Sequence, residues 1–214
     1  MRIIKEHGKR RAEIVDAAEA LFASKGYAST TVSDILAALN IAKGTFYHYF
    51  ASKEELMDAV IARYIDTEME AAQAIADNPQ MSAAEKMFRI LSAPGQDNAR
   101  GDRLEKEASA VGNADMQQRT MASIVLQLSP ILEGIVRQGM REGVFQTEYP
   151  GECMEILLAA SEFMLHGGAF AWEGAQRLQK IKALAWMAEK ALGAEKGHFN
   201  YLYEKFEKNG EICD

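Results

Sequence analysis

The sequence has little cysteine, little proline and no unbroken apolar run of membrane-spanning length. Two cysteines, Cys153 and Cys213, cannot build a disulfide framework or a multi-cysteine metal site. Four prolines and sixteen glycines, spread without a period, exclude collagen-like and low-complexity chains. The most apolar long stretch, residues 156–172, is interrupted by Glu162, His166 and the pair Gly167–Gly168, so a buried helix explains it better than a membrane span. Residues 1–11 are charged and no apolar segment follows. No secretory signal is therefore expected, and the protein is placed in the reducing cytoplasm. Net positive charge is also lacking: the formal charge is −7, which taken alone argues against nucleic acid.

What is present favours helix. The chain has 214 residues, of which 48% are apolar, enough for one large domain or two small ones. Ala, Leu, Met, Glu, Lys and Gln are plentiful and β-branched residues sparse, no segment alternates with a strand period, and no repeat is visible. The expected class is all-α. The charge is unevenly spread. Residues 1–53 carry a formal +3 and residues 54–214 a formal −10. A basic head on an acidic body is the asymmetry to explain.

Residues 1–9 are polar and read as a flexible arm. Ile14, Ala17, Ala18, Leu21 and Phe22 then fall at helical spacing, with a stop at Lys25–Gly26. Ser29–Thr31 supplies N-cap residues for a second helix whose apolar face is Val32, Ile35, Leu36 and Leu39. Asn40 marks a break, and a third helix covers residues 42–49. Two short helices on so tight a turn form a helix-turn-helix. Ser52 to Glu55 reads as a capping box, the Ser52 hydroxyl and the Glu55 carboxylate each accepting from the other's backbone N–H. The helix it opens carries Leu56, Val60, Ile61, Tyr64 and Ile65 inward and extends to residue 76. A second box, Ser82 to Glu85, starts a helix with Met87, Phe88, Ile90 and Leu91 inward. After a loop over 92–100, helical patterns recur at 102–111 and at 115–142, with a kink expected at Pro130. They recur again from Pro150 to 170, and at 175–192, where Leu178, Ile181, Leu184, Ala185 and Ala188 share one side. The tail after His198 holds Tyr201, Tyr203 and Phe206, aromatic enough to dock.

The segment Lys43 to Lys53 carries the functional signal. Phe46 and Phe50 are four apart and share a helical face, able to pack on Leu21, Phe22, Ile35 and Leu39. Lys43, Thr45, Tyr47 and His48 are left outward, side chains suited to base edges, thymine methyls and phosphates. Gly44 would let the backbone approach a duplex closely. Lys53, Thr31 and Ser33 lie at helix starts, where unpaired N–H groups favour a phosphate. Each has a plainer alternative. Tyr47 and Tyr49 can be core aromatics, His48 an idle surface residue, Thr31 an N-cap alone, and the two lysines solvated charges.

These residues resemble the TetR family of bacterial transcriptional regulators. The resemblance runs from Ala12 to about Ile61, through Ala17-Ala18, Leu21-Phe22, Gly26-Tyr27, Thr31-Val32-Ser33-Asp34-Ile35, Lys43 to Phe50 and Ser52-Lys53-Glu54-Glu55-Leu56. It implies a three-helix DNA-binding head, residues 1–52, on a helical effector-binding and dimerisation body, residues 53–214. It implies a homodimer on a near-palindromic operator. Carried over by position, Lys43, Gly44, Thr45, Tyr47 and His48 would meet bases or nearby phosphates, and Thr31, Ser33, Tyr49 and Lys53 the backbone. The family often has His where this chain has Tyr49, whose hydroxyl can still donate to a phosphate.

The body has no motif of its own. Many of the eleven methionines lie there, and Met suits both core filling and adaptable apolar sites. A small, partly apolar effector would meet residues among Met87, Arg89, Leu91, Glu105, Met121, Leu128, His166 and Trp172. The last two long helices, roughly 150–170 and 175–192, are the expected dimer surface, with small residues including Ala185 and Ala188 allowing close packing. An enzyme is not expected. Glu105/Glu107 and Glu162/His166 can be drawn as acid–base pairs, but no nucleophile elbow, phosphate loop, dinucleotide fingerprint or zinc motif accompanies them, so neither cofactor nor metal is expected.

Overall fold

The computed structural model describes residues 2–92, 114–166, 170 and 172–208. Among the described residues every regular element is helical. These are α1 (Arg2–Lys25), α2 (Val32–Leu39), α3 (Lys43–Tyr49), α4 (Lys53–Ala76), α5 (Ala83–Ser92) and α6 (Ala114–Glu142). Then follow α7 (Pro150–Ser161), a π-helical turn (Glu162–His166), α8 (Gly174–Leu192) and α9 (Tyr201–Lys208). The helix expected over 102–111, the loop before it and Cys213 lie outside the described residues. The described chain falls into two compact units, residues 2–67 with 114–117, and 68–92 with 118–208. The division lies inside α4, whereas the boundary expected at 52/53 is that helix's start.

In the first unit, α1 buries Ile14, Ala18 and Phe22, a stripe of period four. The expected arm over residues 1–9 is instead helical from Arg2, because the run contains no proline and joins α1 without a break. Gly26 closes α1, its N–H on the Phe22 carbonyl at 2.9 Å. Asn40 takes the left-handed conformation (φ 51°), which ends α2 and turns the chain into α3. Phe46 and Phe50 enter the core with Ile35, Leu56 and Val60, all essentially inaccessible. Each such burial stabilises by about 1.5–3 kcal/mol. Arg63 of α4 pairs with both Asp16 and Glu19 of α1, so half of α4 is tied to the first unit.

The Ser52–Glu55 box forms with one change. The Ser52 hydroxyl accepts from the Glu55 N–H at 3.1 Å, but the Glu55 carboxylate reaches past Ser52 to the Ala51 N–H. The second box is half made. Ser82 accepts from the Glu85 N–H, while the Glu85 carboxylate pairs with Arg89.

The second unit packs Met87, Leu132, Ile135, Val136, Phe145, Met154, Leu158, Leu192 and Phe199 around Ala83, Ala185 and Ala188. α6 continues past Pro130 as one element. Its last turns meet Phe145, whose ring occupies the space a side chain at Gly139 would need. Gly193 ends α8 at φ 61°, its α-carbon close against the Gln146 carbonyl, while the Gln146 N–H donates to Leu192 O at 2.7 Å. Phe88, expected inward, is 47% exposed, and Lys86 takes the inward position instead. The Lys86 ammonium donates to the Ala76 carbonyl (2.6 Å) and to Gln138 Oε1 (2.8 Å). Gln138 in turn donates to Met81 O and to Glu142, and Glu142 accepts from the Ala83 N–H. The tail docks through α9. Tyr201 meets the Phe88 ring at 5.0 Å, and the Lys182 ammonium lies 5.3 Å over Tyr203.

Candidate nucleic-acid interface

α2 and α3 set one short helix against the next, and burial sorts the side chains of α3. Phe46 is fully buried, its ring 6.0 Å from Phe50. Turned away from them, Tyr47 is 48% exposed, and Lys43, Gly44 and His48 are also exposed. The Lys43 ammonium lies 5.8 Å over the Tyr47 ring, one turn apart. Tyr47 also meets Phe46 edge-on at 5.3 Å, which fixes its base while its outer edge faces solvent. Thr45 and Tyr49 are half-buried, and the His48 and Tyr49 rings meet at 5.0 Å. A β-carbon at Gly44 would touch nothing in the protein. Internal packing therefore gives no reason for glycine in that helix, where it costs about 0.5–1 kcal/mol against alanine.

At the start of α2, Ser33 is exposed. Thr31 is occupied by its own helix. Its hydroxyl and its N–H both donate to Asp34 Oδ2 at 2.8 Å, and it accepts from the Asp34 N–H at 3.1 Å. The Lys25 ammonium stands 2.9 Å from the other Asp34 oxygen. The Thr31 N–H, then the Lys25 ammonium and the Thr31 hydroxyl, hold the Asp34 carboxyl down to about 2. Thr31 and Asp34 thus form the capping box of α2. The spacing Thr31-x-x-Asp34 was the legible signal.

Lys53 is half-buried and also engaged. Its ammonium donates to Tyr27 O and Thr30 O, each at 2.9 Å, and lies 4.1 Å over the Tyr27 ring. The Tyr27 hydroxyl donates to Glu54 at 3.4 Å. Burial, then the Glu54 charge, pushes that phenol up to about 12. Lys9, Arg10 and Arg11 add exposed basic residues on α1, Arg11 standing 4.9 Å over the Phe50 ring.

The effector candidates among the described residues lie in the second unit. Met87 is fully enclosed in the core, and Leu91 and Leu128 pack against it. Arg89 faces solvent, paired with Glu85. Met121 is half-buried. Trp172 stacks on Phe170 at 5.3 Å under the Lys180 ammonium, and its indole N–H is buried without an acceptor among the described residues. Glu105 and the His166 side chain lie outside the described residues. Among those described, no cluster of His, Cys, Asp or Glu could hold a metal, and no helix is long and apolar enough to cross a membrane.

Comparison with known proteins agrees with this geometry. Residues 14–60, which span α1 to α4, match the family of bacterial regulatory proteins named for tetR. Residues 98–187 match the tetracyclin repressor-like C-terminal domain. The chain belongs to the TetR family. The HTH-type transcriptional repressor KstR2 of Mycobacterium tuberculosis is 40% identical over 65 residues, 30% of this chain and 32% of that protein. The chain thus aligns with about a third of the length of these curated relatives. Among solved structures, a TetR-family transcriptional regulator from Pectobacterium atrosepticum superposes with a TM-score of 0.62 at 22% identity, covering 88% of this chain and 96% of that one. SmeT, the repressor of a Stenotrophomonas maltophilia multidrug efflux pump, superposes at 0.53 and 20% identity over 88% and 92%. At these identities the structures establish the shared TetR fold.

Proposed function

We propose that the protein is a dimeric DNA-binding repressor that reads a near-palindromic operator and is released from it by a small, partly apolar effector. The observation that carries this reading is the two-faced α3, with Phe46 buried and Lys43, Gly44, Tyr47 and His48 presented outward. Tyr47, His48 and Thr45 would meet base edges and methyl groups, and Lys43, Ser33 and Tyr49 nearby phosphates. Gly44 would admit the DNA backbone. The basic charge of the first 53 residues supports this role despite the acidic whole.

Dimer formation is supported by an uncovered apolar face on the last two long helices. Ile156 of α7 and Trp186 of α8 are 69% and 58% exposed, with Phe163 and Met187 also open. Ala185 and Ala188 do not belong to that face, because they are buried in the protomer's own core. Two protomers would set two recognition helices one DNA turn or a small multiple apart, roughly 34–36 Å at minimum. Effector binding in the second unit, near Leu91, Met121, Leu128 and Trp172, would favour a dimer geometry that misfits the two half-sites. α4 begins in the first unit and ends in the second, and so is the lever.

The test is selection of duplexes from a random pool by the full chain, followed by a salt titration. Tight, sequence-dependent binding that weakens as salt rises is expected. Equal, weak binding to all duplexes would overturn the operator reading. A compound that raises the melting temperature and also releases the selected duplex would identify the effector class.

A further inference from the structure

Lys53 opens α4, where the sequence pattern places a phosphate contact. Its ammonium has three N–H bonds and three partners already. Two are carbonyl oxygens, Tyr27 O and Thr30 O at 2.9 Å, and the third side is covered by the Tyr27 ring at 4.1 Å. The two carbonyls bracket the turn between α1 and α2. Thr30 is itself fully buried, its hydroxyl donating to Gly26 O at 2.8 Å. The next residue, Thr31, is the cap of α2.

We infer that Lys53 is a positioning residue for DNA binding, holding the Tyr27–Thr30 turn on the start of α4 and so setting where α2 and the recognition helix meet the duplex. The inference rests on the operator reading above. A phosphate would have to draw the ammonium off both carbonyls and the ring face at once; Tyr27 O would keep the Thr30 N–H at 3.2 Å, but the tie between the turn and α4 would be lost, which opposes the exchange. Lys43, exposed and lying over a ring face, is an ammonium open to phosphate.

The two roles differ in salt dependence. An ammonium on a phosphate contributes about 0.9 to the slope of log affinity against log salt. A positioning ammonium contributes nothing to the slope but lowers affinity throughout when lost. The experiment compares wild type, Lys53→Met, Lys53→Arg and Lys43→Met on a duplex selected by the wild-type chain, with amide hydrogen exchange of each free protein. Lys53→Met is expected to bind about tenfold more weakly at every salt concentration, with an unchanged slope. Its amides over residues 27–34 should exchange faster. Lys43→Met should lose slope. A Lys53→Met variant that loses slope while its exchange stays at the wild-type rate overturns the inference. Should Lys53→Met fail to fold, Lys53→Arg decides, since the guanidinium keeps the charge but cannot aim at both carbonyls. Weakened binding with unchanged slope supports positioning, and retained affinity with retained exchange overturns it. Failure of the wild type to select any duplex sinks the operator reading instead, and the exchange comparison still tests the clamp.

Discussion

Asp34 decides where α2 begins, and its chemistry makes that decision dependent on pH. Its carboxyl is held down to about 2, so the charged form is the one the folded protein prefers. The stabilisation is therefore complete above the ordinary carboxylate value near 4 and is lost as pH falls toward 2. Asp34→Ala should melt below wild type at pH 7, and the two should converge as pH approaches 2, as followed by circular dichroism. Gly44 gives a prediction of opposite sign. With open space around it, Gly44→Ala should stabilise the protein by about 0.4–1 kcal/mol in urea titration. The same methyl should weaken binding to the selected duplex. Unweakened binding would separate Gly44 from the DNA surface. The spacing Thr31-x-x-Asp34 is readable in the sequence as a cap, whereas an ammonium such as Lys53 looks the same there whether it faces solvent or two carbonyls.

At the scale of an element, α3 and α5 show what helical periodicity conveys and what it leaves out. In α3 the four-residue spacing of Phe46 and Phe50 selected the buried face correctly, because nothing polar competes for it. Phe46→Ala should cost about 3–5 kcal/mol and loosen the first unit. Tyr47→Ala should leave the melting curve in place and lower operator affinity. Joint loss of fold and binding in Tyr47→Ala would make that tyrosine structural. In α5 periodicity was overruled by type. The buried stripe is Ala83, Lys86 and Met87, yet a reader choosing by hydrophobicity takes Phe88 and passes over the lysine. Lys86 is inside because it alone reaches the Ala76 carbonyl at the end of α4 and Gln138 on α6. Lys86→Met should therefore destabilise the second unit by about 1–3 kcal/mol despite its greater hydrophobicity, since it strands a carbonyl and an amide. A neutral or stabilising effect in urea would mean water replaces the ammonium.

At the scale of the whole molecule, the order of the described helices α1 to α8 was legible from caps, breakers and periodicity, whereas the ties that hold them together were not. Ser52 starts α4 visibly, but the Arg63 pairing with Asp16 and Glu19 joins residues far apart in sequence, which no local pattern reveals. The tail was similarly mute: its aromatics announced docking, and only Phe88 and Lys182 say where. Assembly is the prediction that belongs here. Trp186→Glu puts a charge into the uncovered apolar face and should yield monomers in sedimentation, with operator affinity lowered and the protomer's melting little changed. A dimer that survives the substitution would place the interface elsewhere. The same residue offers a convenience. The two tryptophans, Trp172 and Trp186, both lie in the second unit, and only Trp186 stands open on the helix face in question. Its emission should shift to the blue when that face is covered and to the red on dilution. The protein would then carry its own optical gauge of association, readable without a label.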